Sequence, residues 1–261
     1  MGRRFKAFGF GTGIGTLGGL IGLGGAEFRL PVLIGVFGFG ALKAVILNKA
    51  MSLIVVASAL PSRAAAVPFD QVLSHWGIVA NLLAGSLAGA WLGAGWATRL
   101  QSRSLYRVIA IALLVIAVAL LFGHGADESE RPLLSSPVLQ IAAGVIAGLC
   151  IGMVASLLGV AGGELLIPTL ILLFGVDAKL AGSLSLVVSL PTMLVGFARY
   201  SRDRSFSVLR ENAGFVVTMA AGSITGAYIG GLLLGIVPTA ALLPLLSAIL
   251  VVSAVKVWRH S

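Results

Sequence analysis

The chain has 261 residues, of which 58% are hydrophobic and 10% are charged, and its formal net charge is +9. Because soluble domains carry about 25% charged residues, this composition excludes an ordinary soluble domain and predicts an all-α polytopic membrane protein. The arginines stand at the ends of apolar segments instead of forming a basic domain, which argues against nucleic acid as a partner.

The apolar pattern predicts ten helical segments, five in each part of the chain. In chain order they are 7–24, 26–37, 41–60, 76–98 and 104–122, then 138–160, 163–174, 178–198, 212–234 and 240–257. The second segment of each five has about 12 residues and spans roughly 18 Å, too short to cross a core of about 30 Å. Each short segment follows a cluster of glycines, so we expect a half-helix or re-entrant arm entered through a glycine break.

Two blocks of sequence recur at an offset of 137 residues. "GLGGAEFRLP", from Gly22 to Pro31, matches "GVAGGELLIP", from Gly159 to Pro168. "GSLAGAWLGA", which begins at Gly85, matches "GSITGAYIGG", which begins at Gly222. We therefore expect a first membrane repeat at 1–123, an acidic external linker at 124–137 and a second membrane repeat at 138–261.

The odd number of segments in each repeat predicts that the two repeats have opposite orientations. If the N-terminus is cytoplasmic, few basic residues fall outside: Arg63, Arg131 and Lys179. The other loops and termini hold most of the basic residues, as the positive-inside rule expects. The pattern predicts an inverted repeat with both termini in the cytoplasm, an arrangement found in many secondary transporters.

The glycine breaks predict a pocket for an anion. The start of a helix exposes unpaired N–H groups and the positive end of the helix dipole, and glycine lets a ligand approach that backbone closely. The predicted backbone contacts are Gly22, Gly24, Gly25, Ala26, Gly162 and Gly163. In contrast, the glycines spaced by four in the second matching block are expected to serve close helix packing.

Charged residues at these breaks have two interpretations. Glu27 and Glu164 begin the two short segments, where a carboxylate either caps the backbone and complements the dipole or carries a proton as a coupling group. Lys49 lies in the middle of 41–60, where a charge is costly; it either pairs with one of these carboxylates or attracts the anion. Arg29 is expected near an outer end, with its charged group extended to the membrane surface.

Several polar side chains of the third segment in each half are candidates for binding substrate oxygens. They are Asn48, Ser52, Ser183, Ser185 and Ser189. Serine in a membrane helix also bonds its own backbone or a neighbouring helix, so both roles stay open. The three histidines are scattered, and the sequence predicts no metal site and no cofactor.

The paired motifs resemble those of the TauE/SafE family of sulfite exporters. That family shows a G-x-G-G-G-x-L-x-x-P-x-L pattern near the start of each half, which both glycine breaks approach, and "GSLSL" from Gly182 resembles its T-S-L element. In the first half, Ala26 replaces a glycine, Arg29 is added, and "LNKAMSL" from Leu47 stands where T-S-L is expected. The resemblance implies export or uptake of sulfite, an organosulfonate or a related small anion.

These features predict a secondary transporter of a small anion in the bacterial inner membrane, coupled to protons or not, as a single chain or a homo-oligomer. An anion channel or a structural membrane subunit is the alternative. The sequence has no HExxH, Walker A or GxSxG element, so we do not expect an enzyme.

Overall fold

The computed structural model of the chain describes residues 2–21, 25–66, 69–123, 134, 136–202, 206–233 and 239–260. These residues form helices joined by short turns. In chain order the helices are α1 (Gly2–Ile21), α2 (Ala26–Gly35), α3 (Ala41–Ala66), α4 (Phe69–Ser74), α5 (Trp76–Arg99), α6 (Ser102–Gly123), α7 (Pro137–Leu158), α8 (Gly163–Phe174), α9 (Ala178–Arg202), α10 (Phe206–Glu211), α11 (Ala213–Leu233) and α12 (Thr239–Trp258).

Each predicted segment corresponds to a helix, with some differences in the bounds. Helix α8 has the predicted limits, whereas α2 ends two residues early. It ends there because the Phe37 and Phe39 amides bond back to the Val32 and Leu33 carbonyls and Gly38 is left-handed, with φ of 70°. The short helices α4 and α10 lie where the sequence predicted only connections, because six residues carry too little periodicity to be recognised.

Six of the described helices are long and apolar enough to cross a membrane by length and composition: α3, α5, α6, α7, α9 and α11. At 1.5 Å per residue, the 10 residues of α2 and the 12 of α8 extend only about 15 and 18 Å. The chain is therefore a multi-pass helical membrane protein that contains two short internal helices.

Glycine contacts bring α1 against α11 and α5 against α7. A methyl group on Gly85 would overlap the Val145 carbonyl, and one on Gly222 would overlap the Phe8 carbonyl. Along α1, Gly11 faces Met219 and Gly19 faces Ala227, so the numbers rise together and the two helices are parallel. Small residues at such a seam allow the backbones to approach closely, as is usual in membrane helix pairs.

Helices α6 and α12 pack in the opposite sense. The ring of Tyr106 lies 6.1 Å from that of His260, and the guanidinium of Arg107 lies 5.7 Å from the Trp258 ring. At the other end of the pair, the Ser247 hydroxyl donates a 3.0 Å hydrogen bond to the Ala117 carbonyl. Because residue numbers rise in one helix as they fall in the other, α6 and α12 are antiparallel.

Helix α2 lies inside the protein, whereas α8 buries four of its 12 residues, three of them in its first turn. Helix α2 buries eight of its ten residues and packs against α1, α3 and α12, while α8 packs against α6, α7 and α9. The starts of α2, α3, α4, α5 and α6 each recur 137 residues later, at α8, α9, α10, α11 and α12. The equivalent short helices thus occupy comparable positions among equivalent neighbours.

Candidate functional site

The starts of α2 and α8 carry two buried glutamates. Glu27 is 0% exposed and Glu164 is 2% exposed. Their carboxyl groups lie at hydrogen-bonding distance from each other. Two negative charges in contact repel each other, and burial away from water strengthens this repulsion. Simultaneous ionisation of both groups is therefore strongly disfavoured.

Left-handed glycines break the chain directly before both short helices. Gly25 has φ of 69° and Gly162 has φ of 84°, a conformation that side-chain-bearing residues rarely adopt. Neither residue provides a side-chain cap, so the first amides of α2 and α8 lack that partner. Each glutamate carboxyl lies near the amide of its own residue, an arrangement that complements the helix dipole. Gly22 and Gly24, the other predicted contacts at the first break, lie outside the described residues.

Lys49 is fully buried, and its ammonium group contacts the end of α7. Its Nζ donates a 3.1 Å hydrogen bond to the Ser156 hydroxyl, and a methyl group on Gly196 would lie 2.8 Å from this nitrogen. A cation near the C-terminus of a helix is stabilised by the negative end of the helix dipole. Within the described ranges Lys49 forms no ion pair with Glu27 or Glu164, so the predicted pairing is not formed in this structure.

Asn48 and Ser52 connect α3 to both glycine breaks. The Asn48 amide donates 3.0 Å hydrogen bonds to the carbonyls of Ala26 and Leu158, and the Ser52 hydroxyl donates a 3.1 Å bond to the Gly159 carbonyl. The Leu158 and Gly159 carbonyls lie at the C-terminal end of α7, where carbonyls lack an intrahelical partner, whereas the Ala26 carbonyl belongs to the first residue of α2. In this conformation, both side chains hold the backbone of the site in position.

Two residues that the sequence analysis did not select complete this cluster. The Tyr200 hydroxyl donates a 2.9 Å hydrogen bond to the backbone carbonyl of Ser156, and both residues are buried. The position of Ser156, three residues before the Gly159 break, is a signal that could have found it. Tyr200 lies near the end of α9, and its sequence neighbourhood gives no comparable signal.

The three serines of α9 that the sequence analysis selected differ in their bonding. Ser185 donates a 2.8 Å hydrogen bond to the Gly182 carbonyl of its own helix. Ser183 and Ser189 are buried, and among the described residues their hydroxyls have no hydrogen-bond partner. The hydrogen-bonding capacity of these two hydroxyls is therefore unused, whereas that of the Ser185 hydroxyl is already used. Gly163 is the buried first residue of α8.

Arg29 corrects one expectation from the sequence. It is 0% exposed on α2 and lies close enough to Glu27 to interact electrostatically. The expected extension of its guanidinium to the membrane surface is wrong, because α2 is enclosed by α1, α3 and α12. The positive charge that Arg29 adds to the first glycine-break motif therefore lies in the protein interior.

The model of the sulfite exporter TauE/SafE family matches residues 7–257. The chain belongs to this family. The match covers both glycine breaks and all helices of the two halves except the ends of the first and last. Neither a curated protein nor a solved structure matches the chain. As a member of the TauE/SafE family, the chain is a membrane transporter. Its paired glycine-rich motif lies at the starts of α2 and α8.

Proposed function

We propose that this TauE/SafE member is a secondary transporter that moves a small anion, sulfite or an organosulfonate, across the bacterial inner membrane. The anion binds where the starts of α2 and α8 meet. The observation that carries this proposal is the meeting of two glycine-broken helix starts in the protein interior, marked by the Glu27–Glu164 contact. Helix N-termini attract anions through free N–H groups and the helix dipole.

An inverted repeat of 1–123 and 138–261 gives this meeting a structural origin. Helices α6 and α12 are equivalent at the offset of 137 and are antiparallel. Equivalent helices that cross a membrane in opposite directions are what inverted halves would produce. The charge distribution supports cytoplasmic termini and an external linker at 124–137.

The proposed anion contacts are the backbone of Gly25, Ala26, Gly162 and Gly163, together with the hydroxyls of Ser183 and Ser189. The side chains of Asn48, Ser52 and Ser185 would first have to release their present hydrogen bonds. Lys49 provides the positive charge that attracts the anion. Glu27 and Glu164 either cap the two helices or couple transport to protons.

Flux measurements in proteoliposomes test this function. We expect saturable flux of sulfite or of an organosulfonate in the parent protein. Lys49→Met should reduce anion affinity by about tenfold, equivalent to 1.4 kcal/mol. Lys43→Met removes an exposed lysine from the same helix and is the matched control, with unchanged flux.

Each alternative predicts a different result. Flux that does not saturate would identify an anion channel, and absence of flux for every anion tested would favour a structural subunit. If Lys49→Met binds and moves the anion like the parent, Lys49 is only a structural charge. The pocket would then depend on backbone N–H groups and hydroxyls alone.

A further inference from the structure

We infer that Glu27 and Glu164 form a proton-binding pair that holds one proton between its two carboxyl groups when the anion site is empty, and binds a second proton when the anion arrives. The ligand of this site is a proton from the solution. The first step depends only on the structure of the pair. The second step rests on the proposed anion transport.

The bonding of the two carboxyls supports the shared proton. Both side chains are almost completely buried, with exposures of 0% for Glu27 and 2% for Glu164. Their oxygens have no hydrogen-bond donor among the described residues. Two carboxylates at hydrogen-bonding distance cannot both be ionised in a buried site. A single proton between them removes the repulsion and supplies the missing donor.

The helix starts keep the pair from becoming fully neutral in the empty site. Each carboxyl lies at the positive end of a helix dipole and near its own backbone amide. Arg29, on the same helix as Glu27, also favours one negative charge. The empty site is therefore expected to hold one proton and one negative charge on the pair.

The other titratable groups described near the pair do not take its place as the proton-binding site. Lys49 of α3 and Tyr200 of α9 are buried but face Ser156. The other titratable side chains described on helices packed against α2 and α8 are at least partly exposed: Arg3, Arg4 and Lys6 of α1, Lys43 of α3, Arg103, Tyr106 and Arg107 of α6, Cys150 of α7, Arg199 of α9 and Lys256 of α12.

Arrival of an anion changes the balance at this site. The anion and the negative charge of the pair would compete for the same two helix starts, and like charges in a buried site repel each other. Uptake of one proton by the remaining carboxylate removes that repulsion. Net binding is then one anion together with one proton, which makes the transporter an anion–proton symporter.

Infrared spectroscopy of the purified protein in lipid at neutral pH tests the first step. We expect the carbonyl stretching band of a protonated carboxyl group, which shifts when the sample is transferred to heavy water. Glu27→Gln and Glu164→Gln should each shift or remove that band. Glu211→Gln, which changes an exposed glutamate of α10, should leave it unchanged. Absence of the band in the parent, or a band that neither glutamine variant alters, would overturn the shared proton.

Proton uptake on anion binding tests the second step. Thiosulfate and methanesulfonate are suitable probes because they do not titrate near neutral pH, and a pH-indicator dye in weakly buffered detergent solution reports the exchange. We expect the parent and Glu211→Gln to take up close to one proton per bound anion, and the double variant Glu27→Gln/Glu164→Gln, which has no carboxyl group at the site, to take up none. Proton release, or binding without exchange in the parent, would overturn symport. If neither probe binds, the proposed anion function fails for these anions, while the infrared result still decides the shared proton.

Discussion

A glycine at the α1–α11 seam offers a direct test of how closely these helices pack. Gly230 is buried at the seam, and its neighbour Gly231 faces open space. A methyl group on Gly230 would lie 2.9 Å from the Cα of Gly19 and would overlap the Thr16 carbonyl oxygen. Carbon atoms pack comfortably at about 3.5 to 4.0 Å, so the contact with Gly19 alone would require the helices to separate by roughly 0.6 to 1.1 Å.

Overpacking of this size costs about 1 to 3 kcal/mol. For a chain of this length, 1 kcal/mol corresponds to about 2 to 4 °C in melting temperature. We therefore expect Gly230→Ala to lower the apparent melting temperature by roughly 2 to 12 °C relative to Gly231→Ala. Both variants gain the same helix propensity of about 0.5 to 1 kcal/mol, so their difference isolates the contact at the seam.

Thermal unfolding of the two variants in one detergent, followed by far-UV circular dichroism, measures this difference. Equal melting temperatures for Gly230→Ala and Gly231→Ala would show that the seam has room for a methyl group. The close approach of α1 and α11 would then not contribute to stability, and the reasoning from backbone contact would be refuted.

Three further changes probe the site and the topology. Gly196→Ala would place a methyl group 2.8 Å from Lys49 Nζ, so it should weaken anion binding in a thermal-shift titration. An unchanged affinity would show that the Lys49 ammonium does not take part in anion binding. Asn48→Ala removes the donor to the Ala26 and Leu158 carbonyls; loss of the partner of the Leu158 carbonyl, at the end of α7, costs about 1 to 3 kcal/mol and should lower the melting temperature, and no change would mean that other groups replace the amide. Single cysteines introduced into 124–137 and 199–211, in a background without the native cysteine, should be labelled from opposite faces of the membrane. Labelling from one face would exclude the inverted repeat.

Helix positions could be predicted from the sequence because the length of an apolar run and the glycines at its ends are local signals. Helix α8 has the predicted bounds since left-handed Gly162 and Gly175 enclose it. The two short helices α4 and α10 were not predicted from periodicity. Their positions 137 residues apart show that the repeat itself contained this information.

The partners of buried charges could not be predicted from the sequence. The repeat predicted that the two glycine breaks are equivalent, and the structure brings Glu27 and Glu164 together. Spacing along one segment does not reveal which neighbouring helix a long side chain meets. Lys49 therefore meets Ser156 instead of a carboxylate, and Arg29 lies in the interior because helices distant in sequence surround it.

The parallel contacts of α1 with α11 and of α5 with α7 have a mechanical consequence. Each pair joins a helix of the first half to a helix of the second, and each is held by backbone contacts that leave no space for a methyl group. The halves are therefore interlaced, and they cannot rock against each other as separate rigid bodies without breaking both seams. In the transport cycle proposed above, a motion that opens the site to one side would therefore move bodies built from both halves, and cutting the chain at its linker would not release them.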